Sequence, residues 1–217
     1  MVFREYPSTS YLDMMVFSTF YFGVAICFFL SSTFHVINNH SRRLAAFGNQ
    51  LDYLGIVLLM WGATIPTVYY GYHDDKKLRN MYWCVVSFLG GMCCIATMHP
   101  KFRTPTFRPY RSMMYAALGL SAIVFIVHAI SLRGFAEANK RMSLDWMGLM
   151  GGLNLIGAAT YGTRLPEKFR PGRFDLYGSS HQILHFMVIF AGLAHMFGLL
   201  RAFRYYHNTF PAMLRTR

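Results

Sequence analysis

From Met14 to Ile37 the sequence reads MMVFSTFYFGVAICFFLSSTFHVI, without one Asp, Glu, Lys or Arg. A helix needs about 20 mostly apolar residues to cross about 30 Å of hydrocarbon, and this stretch is long enough. Five more blocks of that kind follow, bounded by charge or proline: approximately Leu51 to Tyr72, Tyr82 to Met98, Ser112 to Leu132, Leu144 to Thr163 and Ser179 to Leu200. They lack the alternation of barrel strands and are about twice as long as such strands need to be. The expected fold is therefore all-α, a polytopic transmembrane bundle of six spans. A short N-terminal tail (1–13) and a short basic C-terminal tail (204–217) flank a helical body (14–203).

Composition points the same way. Of 217 residues only 21 are Lys or Arg and 9 are Asp or Glu, 14% in all, while 54% are hydrophobic. So few charges cannot cover a soluble core, which excludes a soluble globular enzyme. Aromatic residues at 17% exclude disorder. The net charge of +12 raises nucleic acid as a partner. The cations sit in short runs between apolar blocks, however, so they read as loops meeting anionic headgroups and no nucleic-acid partner is expected. Cys27, Cys84, Cys93 and Cys94 lie inside apolar blocks without a CxxC pair, as packing residues do. No cleavable signal peptide is expected, since Arg4, Glu5 and Asp13 precede the first apolar run. Gly90, Gly91, Gly119, Gly148, Gly151, Gly152 and Gly157 fall within spans as helix-packing positions, and Pro66 is expected to kink or fray the second span.

Six crossings put both termini on one side. The opposite side, face A, holds the loops after spans one, three and five, with Arg42, Arg43, Lys101, Arg103, Arg108, Arg111, Arg164, Lys168, Arg170 and Arg173. Face B matches this only through the C-terminal Arg201, Arg204, Arg215 and Arg217. Basic short loops favour the cytoplasm, so the charge balance leans to face A as cytoplasmic.

Ionisable groups inside spans are costly and mark function. Ser31 and His35, in SSTFH, stand one turn apart at the end of span one. His181 and His185, in SHQILH, stand one turn apart at the start of span six. Asp52, in LDYLG, is expected to open the second helix. All three segments fall at face A. Three neutral imidazoles make a catalytic zinc site with an open fourth position for water, whose pKa then drops to about 7. Asp52 would accept or orient the water proton, and Ser31 would hold the water or a substrate carbonyl. The alternative has each His bonding a carbonyl or Tyr within a packed bundle and Asp52 capping a helix. Spacing alone leaves both open. His128 and His195 lie nearer face B and read as packing or hydrogen-bonding residues. The remaining acids are placed in loops and tails, with His40, His73, His99 and His207.

No phosphate loop or GxSxG elbow is present. Ser31 with His35, one turn apart on a single helix, is a weak hydrolase dyad. A transporter would be expected to show matching broken helices or repeats.

At these residues the chain resembles the progestin and adipoQ receptor family, which includes the adiponectin receptors, the haemolysin III proteins and fungal membrane proteins linked to zinc homeostasis. SSTFH matches the family's SxxxH, LDYLGI its LDYxGI, and RLPEKFRPGRFDLYGSSHQILH its RxPExFxPGxFDxxxxSHQIxH. The resemblance implies that His35, His181 and His185 bind Zn2+ at the cytoplasmic side, with Asp52 and Ser31 beside the zinc water. It also implies a multi-pass protein of the plasma membrane or an endomembrane, acting as a receptor in lipid or sterol metabolism and zinc homeostasis. Ceramide-like or sterol lipids are the implied ligands, and homo-oligomerisation is left open. Through the alkaline ceramidases, whose Ser, Asp and three-His site is similar, the implied reaction is hydrolysis of a ceramide amide. A non-catalytic, structural zinc and a pore or transporter are the alternatives. The family has seven spans; counting back from SHQILH, the first is missing here, and a shortened gene model or isoform is the expected reason.

Overall fold

A computed structural model describes residues 6–100, 108–174 and 177–210. Lys101, Arg103, Asp175, Arg215 and Arg217, used in the sequence reading, lie outside the described residues, as does Arg4. Within them the chain is helical: α1 Tyr11–Ile37, α2 Arg42–Gly71, α3 Lys76–Met98, α4 Arg108–Arg133, α5 Phe135–Met142, α6 Leu144–Thr163 and α7 Ser180–Thr209. Five of these, α1 to α4 and α7, are long and apolar enough to span a membrane. The α6 helix has the expected bounds and 20 residues. It is not among those five; Asp145 and Asn154 interrupt its apolar run. Two compact units are present, residues 1–135 with 210–217, and residues 136–209.

In the first unit α1 and α2 pack by close backbone approach. A Cβ on Gly62 would stand 2.5 Å from the Thr19 carbonyl oxygen, and one on Gly55 would stand 2.9 Å from the Cys27 Cα. Those two glycines are seven residues apart and so share one face of α2. They meet Thr19 and Cys27 on the matching face of α1, which runs antiparallel. Beyond them Val57, Cys93 and Leu118 join α2, α3 and α4 in a small buried core.

Helix starts are set by caps as much as by hydropathy. Ser10 and Asp13 form a reciprocal capping box at the start of α1. Asp13 is fully buried and also accepts a 2.8 Å hydrogen bond from the Tyr70 hydroxyl. It is thus an interior residue, not the tail acid expected. Ser41 caps α2, accepting from the Leu44 amide, so this helix begins nine residues before its apolar block. Pro66 is buried inside α2, which runs on to Gly71 without fraying there. Of the glycines expected to pack, Gly157 meets the Met187 Cβ at 3.0 Å. Gly91, Gly148, Gly151 and Gly152 meet nothing within 4 Å. Their spacing is helical, but their faces are not the ones turned to a neighbour. All four cysteines are free, with Cys27 and Cys93 buried as packing residues and Cys84 exposed.

In the second unit α6 packs on α7. Ser143, just before α6, holds a left-handed backbone at φ 55° while fully buried. Its hydroxyl fixes the position by donating to the Gly198 carbonyl at 2.8 Å and accepting from the Arg201 Nε at 3.1 Å. His207, expected in a tail, is buried within α7, because that helix continues to Thr209.

The short α5 is tied to α7 through Glu137, which accepts from the Arg141 Nε at 2.7 Å and from the Tyr205 hydroxyl at 3.0 Å. Partial burial works against ionisation of Glu137, but the Arg141 and Tyr205 hydrogen bonds and the charges of Arg141 and Lys140 outweigh it and hold the carboxyl below its usual range. A lowered carboxyl pKa stabilises the fold above the unfolded value, and that contribution is lost as pH falls through the folded value. Glu137→Gln should therefore lower the thermal midpoint at pH 7, by the equivalent of about 0.5–1 kcal/mol. The gap to the native chain should close as pH falls below the ordinary glutamate range. A gap that persists or widens in acid would contradict this assignment.

Candidate metal centre

On α1, Ser31 and His35 share one face, with Ser31 buried and His35 exposed in the last turn. The Ser31 hydroxyl has no hydrogen-bond partner among the described residues. Gly62 lies against Thr19, Gly55 against Cys27, and Gly48 against Phe34 and Ile37. That antiparallel register brings Ser31 level with Leu51 and Asp52. Asp52 does not open α2. It lies ten residues inside a helix that starts at Arg42, about 15 Å along it. The capping role is thereby excluded for Asp52, since Ser41 performs it. What stands there is a half-buried carboxylate in mid-helix, level with an unsatisfied buried hydroxyl.

On α7, His181 and His185 turn their rings toward each other, nearly perpendicular, with Nε2 to Nε2 at 3.1 Å. Two nitrogens at about 2.0–2.1 Å from a tetrahedral zinc stand about 3.3 Å apart, so this pair fits one metal ion. The Tyr161 ring of α6 packs beside His181 at 5.4 Å.

The helix start that carries this pair is fixed by two devices. Ser179 accepts from the Gln182 amide at 3.3 Å, while the Gln182 side chain accepts from the Gly178 amide at 2.7 Å. The S-x-x-Q spacing is a capping signature legible in the sequence. Glu167, thirteen residues upstream, accepts from both the amide and the hydroxyl of Ser180, at 2.8 and 2.7 Å. Desolvation opposes ionisation of Glu167, but these hydrogen bonds, a backbone amide and the charge of Arg164 hold its carboxyl below the usual range. It thus presents an anion to the positive end of α7, next to His181. Sequence reasoning did not single out Glu167; its only signal was its place in the PExF portion of the long motif.

His128 meets the Tyr82 hydroxyl through Nδ1 within an aromatic group that includes Tyr72, the hydrogen-bonding role expected of it. His195 is buried in α7 fourteen residues from His181, too far along the helix to join the pair.

Five helices long and apolar enough to span, with imidazoles on α1 and α7 and a carboxylate on α2, define a multi-pass α-helical membrane protein. The family model described as Haemolysin-III related matches residues 1–196, and the chain belongs to that family, as the three motifs indicated. It is 40% identical over 204 residues to the ADIPOR-like receptor IZH2 of Saccharomyces cerevisiae, covering 94% of this chain and 64% of that protein. It is 36% identical over 187 residues to the Adiponectin receptor protein of Drosophila melanogaster, covering 86% and 42%. Heptahelical transmembrane protein ADIPOR2 of Oryza sativa subsp. japonica is 37% identical over 177 residues, covering 81% and 76%. The chain thus spans under two thirds of the yeast and fly relatives.

Proposed function

We propose that this protein is a receptor-like regulator of lipid and zinc homeostasis that carries an intramembrane zinc ion and hydrolyses ceramide-type amides. The observation that carries this reading is the pair of Nε2 atoms of His181 and His185, spaced for one metal ion. His35 is the third ligand that the family resemblance implies, and the zinc side is cytoplasmic, in the plasma membrane or an endomembrane. Zinc, when bound, supplies Lewis acidity toward a carbonyl and nucleophilic water at neutral pH. Asp52 takes the proton as water attacks the amide carbon and returns it to the leaving amine nitrogen, yielding a fatty acid and a sphingoid base. The Ser31 hydroxyl, which has a proton to donate and no partner among the described residues, holds the amide oxygen. A site within the spans suits a lipid that enters between helices.

The test is ceramide turnover by purified full chain of known zinc content. Asp52→Asn keeps the shape but cannot take the proton, so turnover should fall by about a hundredfold or more while zinc is retained. Zinc retained with no turnover by the native chain would leave a structural zinc, the non-catalytic reading. Ion leak from liposomes carrying the protein would instead favour a pore.

A further inference from the structure

At the far end of α7 from the histidine pair, Asn139, Lys140, Arg201 and Tyr205 line a pocket of about 350 Å³. We propose that this pocket binds the phosphate of an anionic glycerophospholipid whose acyl chain lies along the exposed face of α7.

Three observations converge on that ligand. The first is charge. Both nearby acids are already engaged: Asp145 holds the Arg201 guanidinium through both carboxylate oxygens, and Glu137 holds Arg141 and Tyr205. Lys140 is exposed and forms no hydrogen bond or salt bridge among the described residues. The pocket is thus left with an ammonium group that acts on Glu137 only through space and forms no ion pair. The Asn139 Oδ1 accepts from Arg201 and from the Asp145 amide, which leaves its NH₂ group to donate to a ligand. An ammonium beside neutral donors suits a phosphate oxygen.

The second is depth. Arg201 lies 20 residues beyond His181, about 30 Å along the helix, which is the thickness of the hydrocarbon layer. The pocket therefore falls at headgroup level when the histidines lie at the opposite interface. An ammonium group at that level meets lipid phosphates and not acyl chains.

The third is the apolar track beneath it. Phe186, Phe190, Leu193 and Phe197 are spaced by four, three and four residues, and Arg201 and Tyr205 continue the same face. The four apolar side chains are 43–59% exposed. A soluble phosphate compound would have no use for such a track, whereas a lipid uses track and pocket together.

The experiment follows the thermal midpoint of the full chain in neutral detergent with phosphatidylglycerol, phosphatidylcholine or inorganic phosphate added. Phosphatidylglycerol should raise the midpoint and phosphatidylcholine should do so at least tenfold less effectively by concentration, with no effect of phosphate. Lys140→Gln should weaken the phosphatidylglycerol effect about tenfold, and Lys140→Arg should retain it. Because Lys140 forms no hydrogen bond or ion pair and acts on Glu137 only through space, the lipid-free midpoint should stay put in Lys140→Arg and fall by less in Lys140→Gln than in Glu137→Gln. Equal responses to the two lipids, or a full phosphatidylglycerol response in Lys140→Gln, would overturn the site. A phosphate response equal to that of phosphatidylglycerol would overturn the lipid as its occupant.

Discussion

Replacing His185 by alanine should lower zinc affinity by more than about a hundredfold, since even outer groups that only orient a ligand contribute about 10–100-fold. The reason lies in the 3.1 Å between the two Nε2 atoms. On one helix, whose first turn is fixed by Glu167 and the Ser179 cap, the two imidazoles would act as a chelate that needs little further ordering. Without His185 that chelate is gone, and His181 is left as a single ligand on α7. The measurement is zinc per chain after dialysis against a weak chelator, with the thermal midpoint followed on re-addition of zinc. The native chain should gain stability by mass action and His185→Ala should not. His128→Ala is the control, because His128 is bonded to Tyr82 and should leave zinc unchanged. Full zinc occupancy in His185→Ala would show that the pair is only a hydrogen-bonded couple.

The largest effect on stability is expected at Gly62. Its Cβ position lies 2.5 Å from the Thr19 carbonyl oxygen and 3.4 Å from the Gly23 Cα, so the neighbours are backbone on both counts and cannot swing aside. Gly62→Ala forces α1 and α2 apart, at a cost of about 2–3 kcal/mol. Gly91→Ala meets nothing within 4 Å and gains helix propensity, so it should be neutral or stabilise by up to about 1 kcal/mol. Unfolding of both variants in mixed micelles checks the contrast. If the two behave alike, the packing of α1 on α2 does not depend on that close approach.

These two sites mark the limits of what the sequence showed. The histidines were legible because polar groups inside apolar blocks stand out, and their four-residue spacing fixes a shared helix face. The glycines named from the sequence were mostly the wrong ones, because a span's composition does not say which of its faces meets a neighbour. Gly55 and Gly62 became visible only through the register of α1 on α2. Asp52 was recognised as chemically unusual but misplaced at the opening of its helix. Hydropathy locates the apolar block, whereas Ser41 decides where the coil of hydrogen bonds begins. Glu167 and Asp13 were missed for a related reason. Both act through partners far away in sequence, Ser180 and Tyr70, and no local spacing encodes such pairings.

The lengths of α2 and α7 carry one more consequence. Each has 30 residues, about 45 Å, against about 30 Å of hydrocarbon. The surplus of α2 is at its amino end, where Arg42 and Arg43 stand, and that of α7 is at its carboxyl end, with Arg201 and Arg204. Guanidinium groups resist being drawn into lipid, so each overhang works as a stop against axial sliding. A thicker or thinner bilayer is then met by tilt, not by a change of immersion. Asp52 on one helix and the two imidazoles on the other are thereby held at fixed heights, as marks on a gauge whose zero is set by the water surface.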